Sequence, residues 1–238
     1  MTPEPRAAYA RVVSEQRRDR RDLLASVADM VAAVSCPHPL RVAIDGPDAA
    51  GKTTLANELA ALLAQRGREV IRASIDGFHR PRVERYEQGA DSSLGYYEDS
   101  FDCERLRNEL LQPLGPNGSR LYRSRIFDYR TDRPVEAAAE RASDAAVLLF
   151  DGVFLLRPEL ADAWDFRIFV VAGFNEILRR VRVRDSELFG SAEKAERRYR
   201  KRYIPAQQGY FKSARPLDHA DLVLINDDPL KPIVQLRP

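Results

Sequence analysis

The stretch LRVAIDGPDAAGKTT, residues 40–54, decides the architecture of this chain. Its first six residues form a short apolar, β-branched run, which predicts a buried strand over 40–45. The next eight, 46–53, fit the pattern G-x-x-x-x-G-K-[ST]. Gly46 and Gly51 permit backbone torsions and a closeness of approach that a Cβ would block. Successive N–H groups can then point inward at a helix N-terminus and cradle a phosphate group. In this reading Lys52 reaches the terminal phosphates and the Thr53 hydroxyl ligates Mg²⁺. Asp48, Ala49, Ala50 and Thr54 complete the nucleotide-binding loop. Helical spacing follows over 53–66, and Gly67 sits where a helix stop belongs.

Working outward, residues 7–34 predict an amphipathic helix, ended by Cys36-Pro37-His38-Pro39 because proline cannot continue it. Strands are expected at REVIRASID (68–76), AAVLLFDGVF (145–154), RIFVVAG (167–173) and ADLVLIN (220–226). Residues 77–101 are rich in Gly, Asp, Ser and Tyr and read as irregular. FDCERLRNELLQPL (101–114) reads as a short helix, and SRLYRSRIFDYRTDRP (119–134) alternates like a hairpin. FNEILRRVRVRD (174–185) and SAEKAERRYRKRY (191–203) read as basic helices, the second ended by Pro205. Strands alternating with helices predict an α/β fold, a mostly parallel sheet flanked by helices on both faces, with ligands outside the carboxyl ends of the strands. The division expected is an N-terminal helical extension, 1–39, and a P-loop domain, 40–238, with a lid at about 185–197 and a small β-hairpin region.

Composition sets limits on function. The net charge is +2 over 238 residues, with 44% hydrophobic and 31% charged residues. That balance is expected of neither a dedicated nucleic-acid binder nor a membrane-surface protein. Two isolated cysteines, Cys36 and Cys103, make no disulfide framework. No apolar run is long enough to span a bilayer, and the N-terminus lacks the apolar stretch of a signal peptide. A cytoplasmic location is the simplest expectation.

Three features narrow the nucleotide site. Asp76 follows the second strand, where a carboxylate can accept the proton of an attacking hydroxyl or help hold the metal. Asp151 ends an apolar strand, where a carboxylate holds Mg²⁺ or its water shell. For both, the plainer alternative is an aspartate capping a strand-end turn. Arg179, Arg180, Arg182 and Arg184 fall within six residues, just before the helix-interrupting SELFGSA. Arg180 and Arg184 share a helical face, fit for a lid that closes over a triphosphate and excludes water. A solvated basic face is the alternative.

In order and spacing, GPDAAGKTT, SIDGFHR, YYEDSFD, RIFDYRTD, VLLFDGVF, RRVRVRD and RYIPAQQGYFKSARPLDHADLVL resemble the uridine kinase branch of P-loop kinases, over about 40–226. Phosphoribulokinase and bacterial pantothenate kinase are relatives of that branch. The resemblance implies transfer of the γ-phosphate of ATP or GTP to a hydroxyl of a small molecule, in the type family the 5′-OH of uridine or cytidine. It implies Thr53, Asp76 and Asp151 around Mg²⁺, Asp76 also as base, and Lys52, Arg180 and Arg184 as catalytic cations. It places Phe127 and Tyr129 in the acceptor pocket and allows a homo-oligomer; Phe78, Tyr97 and Arg130 are further acceptor-side candidates.

Two departures fall on nucleoside recognition. Tyr96 stands where the family carries an aspartate that grips the ribose diol. Arg130-Thr131-Asp132 replaces a stretch holding a histidine that contacts the pyrimidine. His79 or Arg82 is then a candidate for replacement contacts, and a non-nucleoside alcohol is the alternative acceptor. A regulatory nucleotide switch is the rival from another class, but Ile225-Asn226-Asp227-Asp228 lacks the lysine of a guanine-recognition motif.

Overall fold

In the computed structural model, which describes residues 19–236, strand β1 (Leu40–Asp45) is central to a six-stranded sheet. The sheet order is β10-β9-β8-β1-β7-β2, with β2 at Val70–Ser74, β7 at Val147–Asp151, β8 at Phe166–Val171 and β9 at Leu222–Ile225. These five are parallel. Only β10 (Ile233–Leu236) is antiparallel, pairing with β9 at the edge. β10 was not anticipated from the sequence; it is a short run flanked by prolines.

The interior strands are buried on both faces, which is why they read as unbroken apolar runs. Their residues still alternate between two cores. Val42, Ile44, Leu149, Ile168 and Val170 face one core, shared with helix α1 (Arg20–Ala33) and helix α2 (Lys52–Gln65). Ala43, Leu148, Phe150 and Phe169 face the other, under the segment between β2 and β7. Leu23, Leu24, Val27 and Val31 of α1 pack into the same layer as Leu59 and Leu63 of α2. Asp19 caps α1 by accepting from the Asp22 N–H at 2.8 Å. The part of the expected helix before residue 19 lies outside the described residues.

The segment after β2 is more ordered than its composition suggested. It holds short helices α3 (Arg82–Arg85), α4 (Ser93–Glu98) and α5 (Cys103–Leu106), the last running into a π-helical turn over Arg107–Leu111. The alternating stretch after it forms not one hairpin but two nested antiparallel pairs. β4 (Phe127–Asp128) pairs with β5 (Arg133–Pro134), and β3 (Leu121–Tyr122) reaches past them to β6 (Glu140–Arg141).

Helix α6 (Phe174–Arg184) leads to α7 (Ser186–Phe189), a left-handed Gly190, and α8 (Ala192–Arg198). Pro205 does not end this last helix. A π-helical turn at Tyr199–Tyr203 carries the chain into α9 (Ile204–Ala214), with Pro205 in its first turn. The π turn, with its i→i+5 pairing, sits just before the proline and absorbs the N–H that Pro205 lacks, so one continuous helix passes through it.

Candidate active site

All the elements that carry the motifs end on one side of the sheet. Ile44 and Ser74 are both in register with Asp151, so the phosphate loop, Asp151 and Asp76 meet above three adjacent strand ends. They line one cleft of about 1850 Å³.

The loop 46–51 has the torsions that the glycines were expected to supply. Gly46 sits at φ 143° and Gly51 at φ 99°, and Ala49 is also left-handed. A Cβ on Gly46 would collide with the Val170 carbonyl oxygen, and one on Gly51 would lie 2.5 Å from Asn226 Nδ2. The Lys52 ammonium is buried and donates to the Pro47 carbonyl at 2.7 Å. Burial lowers its pKa, opposed by the charges of Asp48, Asp45, Asp151 and Asp76.

Beneath the loop, the wholly buried Asp45 accepts from the Gly46 N–H at 2.7 Å and from the Tyr210 hydroxyl at 2.5 Å. Asp48 accepts from Gln207 Nε2 at 2.7 Å and from the Tyr96 hydroxyl at 2.9 Å. Burial raises the pKa of both carboxylates. Asp45, Gln207 and Tyr210 were missed in the sequence. The stretch holding Gln207 and Tyr210 contributed to the resemblance, but nothing local ties either residue to the loop.

Thr53 Oγ1 donates to Asp151 Oδ2 at 2.6 Å, and Arg72 Nη2 holds Asp151 Oδ1 at 2.8 Å. Asp76 stands exposed to the cleft. Among the described residues nothing donates a hydrogen bond to its carboxylate. Its pKa is raised, first by the surrounding protein and next by the charge of Asp151, against Lys52, Arg184 and Arg130. A hydroxyl oxygen and two carboxylates are the hard oxygen donors that Mg²⁺ prefers, so Thr53, Asp151 and Asp76 fit that ion.

The two arginines expected on a lid part company. Arg180 donates to the carbonyls of Ala49 at 3.0 Å, Asn226 at 2.5 Å and Asp227 at 3.1 Å, and pairs with Glu176 at 2.8 Å. It braces the phosphate loop against the end of β9, and its donors are committed to backbone. In this structure that bracing is what its guanidinium does, although Arg180 also lines the cleft, where the sequence placed it. Asn226 Nδ2 completes the brace by donating to the Ala50 carbonyl at 2.7 Å. Arg184 is held by Asp185 at 2.7 and 2.8 Å and by the Tyr199 hydroxyl at 2.9 Å. More than half its side chain is exposed, and its charge falls on Asp48 and Asp76.

On the far wall, His79 stacks between Phe101 at 4.7 Å and Tyr129 at 4.9 Å. Its Nδ1 lies 3.1 Å from the Asp76 carbonyl. Burial drops its pKa to about 4, so the ring is neutral at pH 7. A neutral ring facing a carbonyl oxygen must donate from Nδ1, which leaves Nε2 as an acceptor.

Tyr96, Tyr129, Arg82 and Arg130 also line the cleft. Phe78, Tyr97 and Phe127 do not. Phe78 is fully buried against Phe150, and Phe127 packs in the same core. Tyr97 turns to the other side of α4, under the Arg157 guanidinium at 4.3 Å. Each is an aromatic ring whose apolar area is worth more in the core than at a polar wall. Gly46 and Ala50 likewise shape the loop from inside without lining the cleft.

A parallel sheet with a phosphate loop, a strand-end carboxylate and a second free carboxylate in one cleft defines a P-loop phosphotransferase. The chain belongs to the cytidylate kinase-like family, whose sequence model matches residues 41–225. Among solved structures it is similar to a protein from Bacillus stearothermophilus described as a possible uridine kinase. That likeness has 25% identity and TM-score 0.68, covering 85% of this chain and 97% of the other. D-glycerate 3-kinase from Cryptococcus neoformans shares the fold at 14% identity and TM-score 0.57, covering 91% and 97%. No curated protein sequence matches. Among the described residues no helix is long and apolar enough to cross a membrane.

Proposed function

We propose that this chain transfers the γ-phosphoryl group of ATP, or GTP, to a hydroxyl of a small molecule. The observation that carries the reading is a free carboxylate, Asp76, in the same cleft as the phosphate loop and the Thr53–Asp151 pair. In the reaction the acceptor oxygen bonds to the γ-phosphorus as the bond to the β,γ-bridging oxygen breaks. ADP leaves, and the hydroxyl proton passes to Asp76. Lys52 and the loop amides hold the donor, and Arg184 adds positive charge beside them. Mg²⁺ held by Thr53, Asp151 and Asp76 would neutralise charge on the phosphates.

The resemblance and the Bacillus neighbour support a pyrimidine nucleoside as acceptor. One pair of observations favours a second reading, a non-nucleoside alcohol. Tyr96 has its hydroxyl on Asp48, and Asp132 accepts from the Arg82 N–H at 2.8 Å and from Arg85 at 2.9 Å. The two positions that replace nucleoside-gripping residues are therefore committed within the protein.

The test is ADP release from ATP and Mg²⁺ over nucleosides, sugars and small alcohols, with Asp76→Asn as control. We expect turnover with at least one acceptor, and loss of transfer in Asp76→Asn with nucleotide affinity kept. Near-normal turnover in that variant would remove Asp76 as base. Nucleotide binding without any phosphorylated product would return the chain to the class of regulatory switches.

A further inference from the structure

The wall of the cleft beyond His79 is strongly basic, and its carboxylates are already used. Arg82, Arg85, Arg130, Arg197 and Arg198 all line it. The carboxylates there are Asp132 and Asp91. Asp132 is taken by Arg85 and the Arg82 N–H, and Asp91 by Arg198 at 3.0 Å and Lys201 at 3.3 Å. Among the described residues no carboxylate pairs with Arg82, Arg130 or Arg197.

Arg85 is the unusual member. It is 8% exposed, and its side chain makes one hydrogen bond, Nη2 to Asp132. Its Nε is shut from solvent with no acceptor, and so is Nε of Arg198, beside it on the same Tyr86 ring. A guanidinium has five N–H donors, and leaving them unanswered in a buried place is costly. Arg202 shows the opposite case. It is as deeply buried on the same ring, yet it donates to the carbonyls of Arg85, Gly89, Ala90 and Ser92. Burial lowers the pKa of Arg202, and the charge of Arg198 adds to the effect, as expected where positive charge is in excess.

Asp132 itself is held at φ 54°, a left-handed conformation uncommon for a residue with a side chain. It fixes Arg85 through its carboxylate while binding the N–H that opens α3. The arrangement is a cation set in a rigid mount, and its Nη1, unlike the closed-off Nε, has no protein acceptor among the described residues and is left to face the cleft.

We propose that the acceptor carries an oxyanion, a carboxylate or a phosphate, and that Arg85, with Arg198 beside it, selects it. The proposal rests on the reading that a small-molecule hydroxyl is phosphorylated in this cleft. Arginine suits the task because its planar fork matches carboxylate and phosphate oxygens.

Two arms test it. In the first, turnover is compared across matched alcohols: glycerol, glycerate and glycerol 3-phosphate; ribose and ribose 5-phosphate; and uridine. The anionic member of a set is expected to exceed its neutral partner in kcat/KM by at least about a hundredfold, and the glycerate and phosphate arms separate the two anions. Arg85→Met and Arg198→Gln should each raise KM for that acceptor about tenfold or more with a smaller change in kcat, and Arg85→Lys should keep part of the effect. In the second arm, inorganic phosphate is titrated into protein saturated with Mg²⁺ and a non-hydrolysable ATP analogue, so that the phosphate loop is filled. Wild type is expected to bind phosphate and Arg85→Met to lose it. Thermal unfolding identifies a variant that has lost its fold, in which case Arg198→Gln decides.

Preference for uridine or another neutral alcohol, unchanged in Arg85→Met, would overturn the proposal and leave phosphoryl transfer intact. Phosphate binding that disappears in Arg85→Met while no acceptor is turned over would keep the anion site and sink the transfer reading.

Discussion

On the proposed reading the cleft has a donor half and an acceptor half, and the two are held together differently. The donor half is made by strand ends and one loop. Its polar groups answer each other over short, fixed geometry: Thr53 to Asp151, Lys52 to Pro47, Asp45 to Gly46, Arg180 to Ala49. The acceptor half is made by short helices and a two-residue strand pair, and its organising groups are arginines that reach across it. Arg202 ties down 85–92, and Arg85 ties α3 to the β4–β5 turn. A phosphate chain is the same in every nucleotide, so a backbone mould serves. An acceptor differs from one kinase to the next, so side chains on replaceable segments select it.

The largest expected effect breaks the donor half alone. Lys52→Ala should lower turnover on the order of 10³-fold or more, since on the proposed reading Lys52 is the ammonium that meets the terminal phosphates. The fold should survive, because the loop is also braced by Arg180 and Asn226. Turnover and a thermal melt on the same preparation check both parts. A loss of tenfold or less would mean that Lys52 holds the Pro47 carbonyl and little else.

Next is Arg202→Met, which attacks the acceptor half. Arg202 is 2% exposed and donates to four backbone carbonyls. Its loss should cost about 3 kcal/mol in denaturant unfolding, because a buried, charged hub of four hydrogen bonds is removed from the 85–92 segment. KM for the acceptor should rise while nucleotide affinity holds. Equal damage to both would show that the two halves are one cooperative unit.

How much of this was legible follows the same division. The phosphate loop, Asp76 and Asp151 could be read because backbone torsion or strand-end position dictates the residue type. Five of the six sheet strands could be read because buried parallel strands are unbroken apolar runs. Pro205 misled, because a π turn just before it lets a continuous helix accommodate the missing N–H, and nothing in the local sequence announces that turn. Phe78, Tyr97 and Phe127 misled because an aromatic beside a motif can face either side of its element, and tertiary packing decides. Arg180 and Arg184 looked equivalent at i, i+4. Only Asn226 and Asp227, more than 40 residues on, separate their roles. Arg85 and Arg202 left no local mark at all, since their partners are backbone carbonyls and one aspartate brought from other loops.

A smaller effect is read by pH. His79 has its pKa lowered to about 4 from 6.5, so the folded state prefers the neutral ring. The unfolded chain takes up a proton near pH 6.5 and the folded one only near 4. Stability from this group is complete above about pH 6.5 and is lost as pH falls from there toward 4. The loss should be on the order of 3 kcal/mol. In His79→Phe the slope of unfolding free energy against pH should flatten in that window. An unchanged slope would place the acid sensitivity elsewhere.

The smallest effect returns to the donor half and asks whether its buried carboxylate needs its tyrosine. Tyr210→Phe removes the hydroxyl that donates to Asp45, and should cost about 1.5–2 kcal/mol near neutral pH, the lower part of the range for a hydrogen bond to a charged group. The hydroxyl also accepts from the Leu156 N–H at 2.9 Å, but that N–H lies 3.3 Å from Asp45 Oδ2 and keeps a partner in the variant. Burial already holds the Asp45 pKa above the usual carboxylate range, and the Tyr210 hydrogen bond opposes that rise. A raised carboxylate pKa makes the folded state lose stability as pH climbs from the ordinary carboxylate value through the folded one. Removing the opposing hydrogen bond extends that loss. The deficit of Tyr210→Phe should therefore be largest at neutral pH and shrink as the medium is acidified and Asp45 is protonated in both proteins. Paired denaturant titrations at acid and neutral pH measure it. A deficit that does not change with pH would mean that the hydroxyl acts through the Leu156 N–H rather than through the Asp45 charge, and no deficit at all would mean that Tyr210 supports the fold through its ring alone, with the Gly46 N–H holding Asp45 without it.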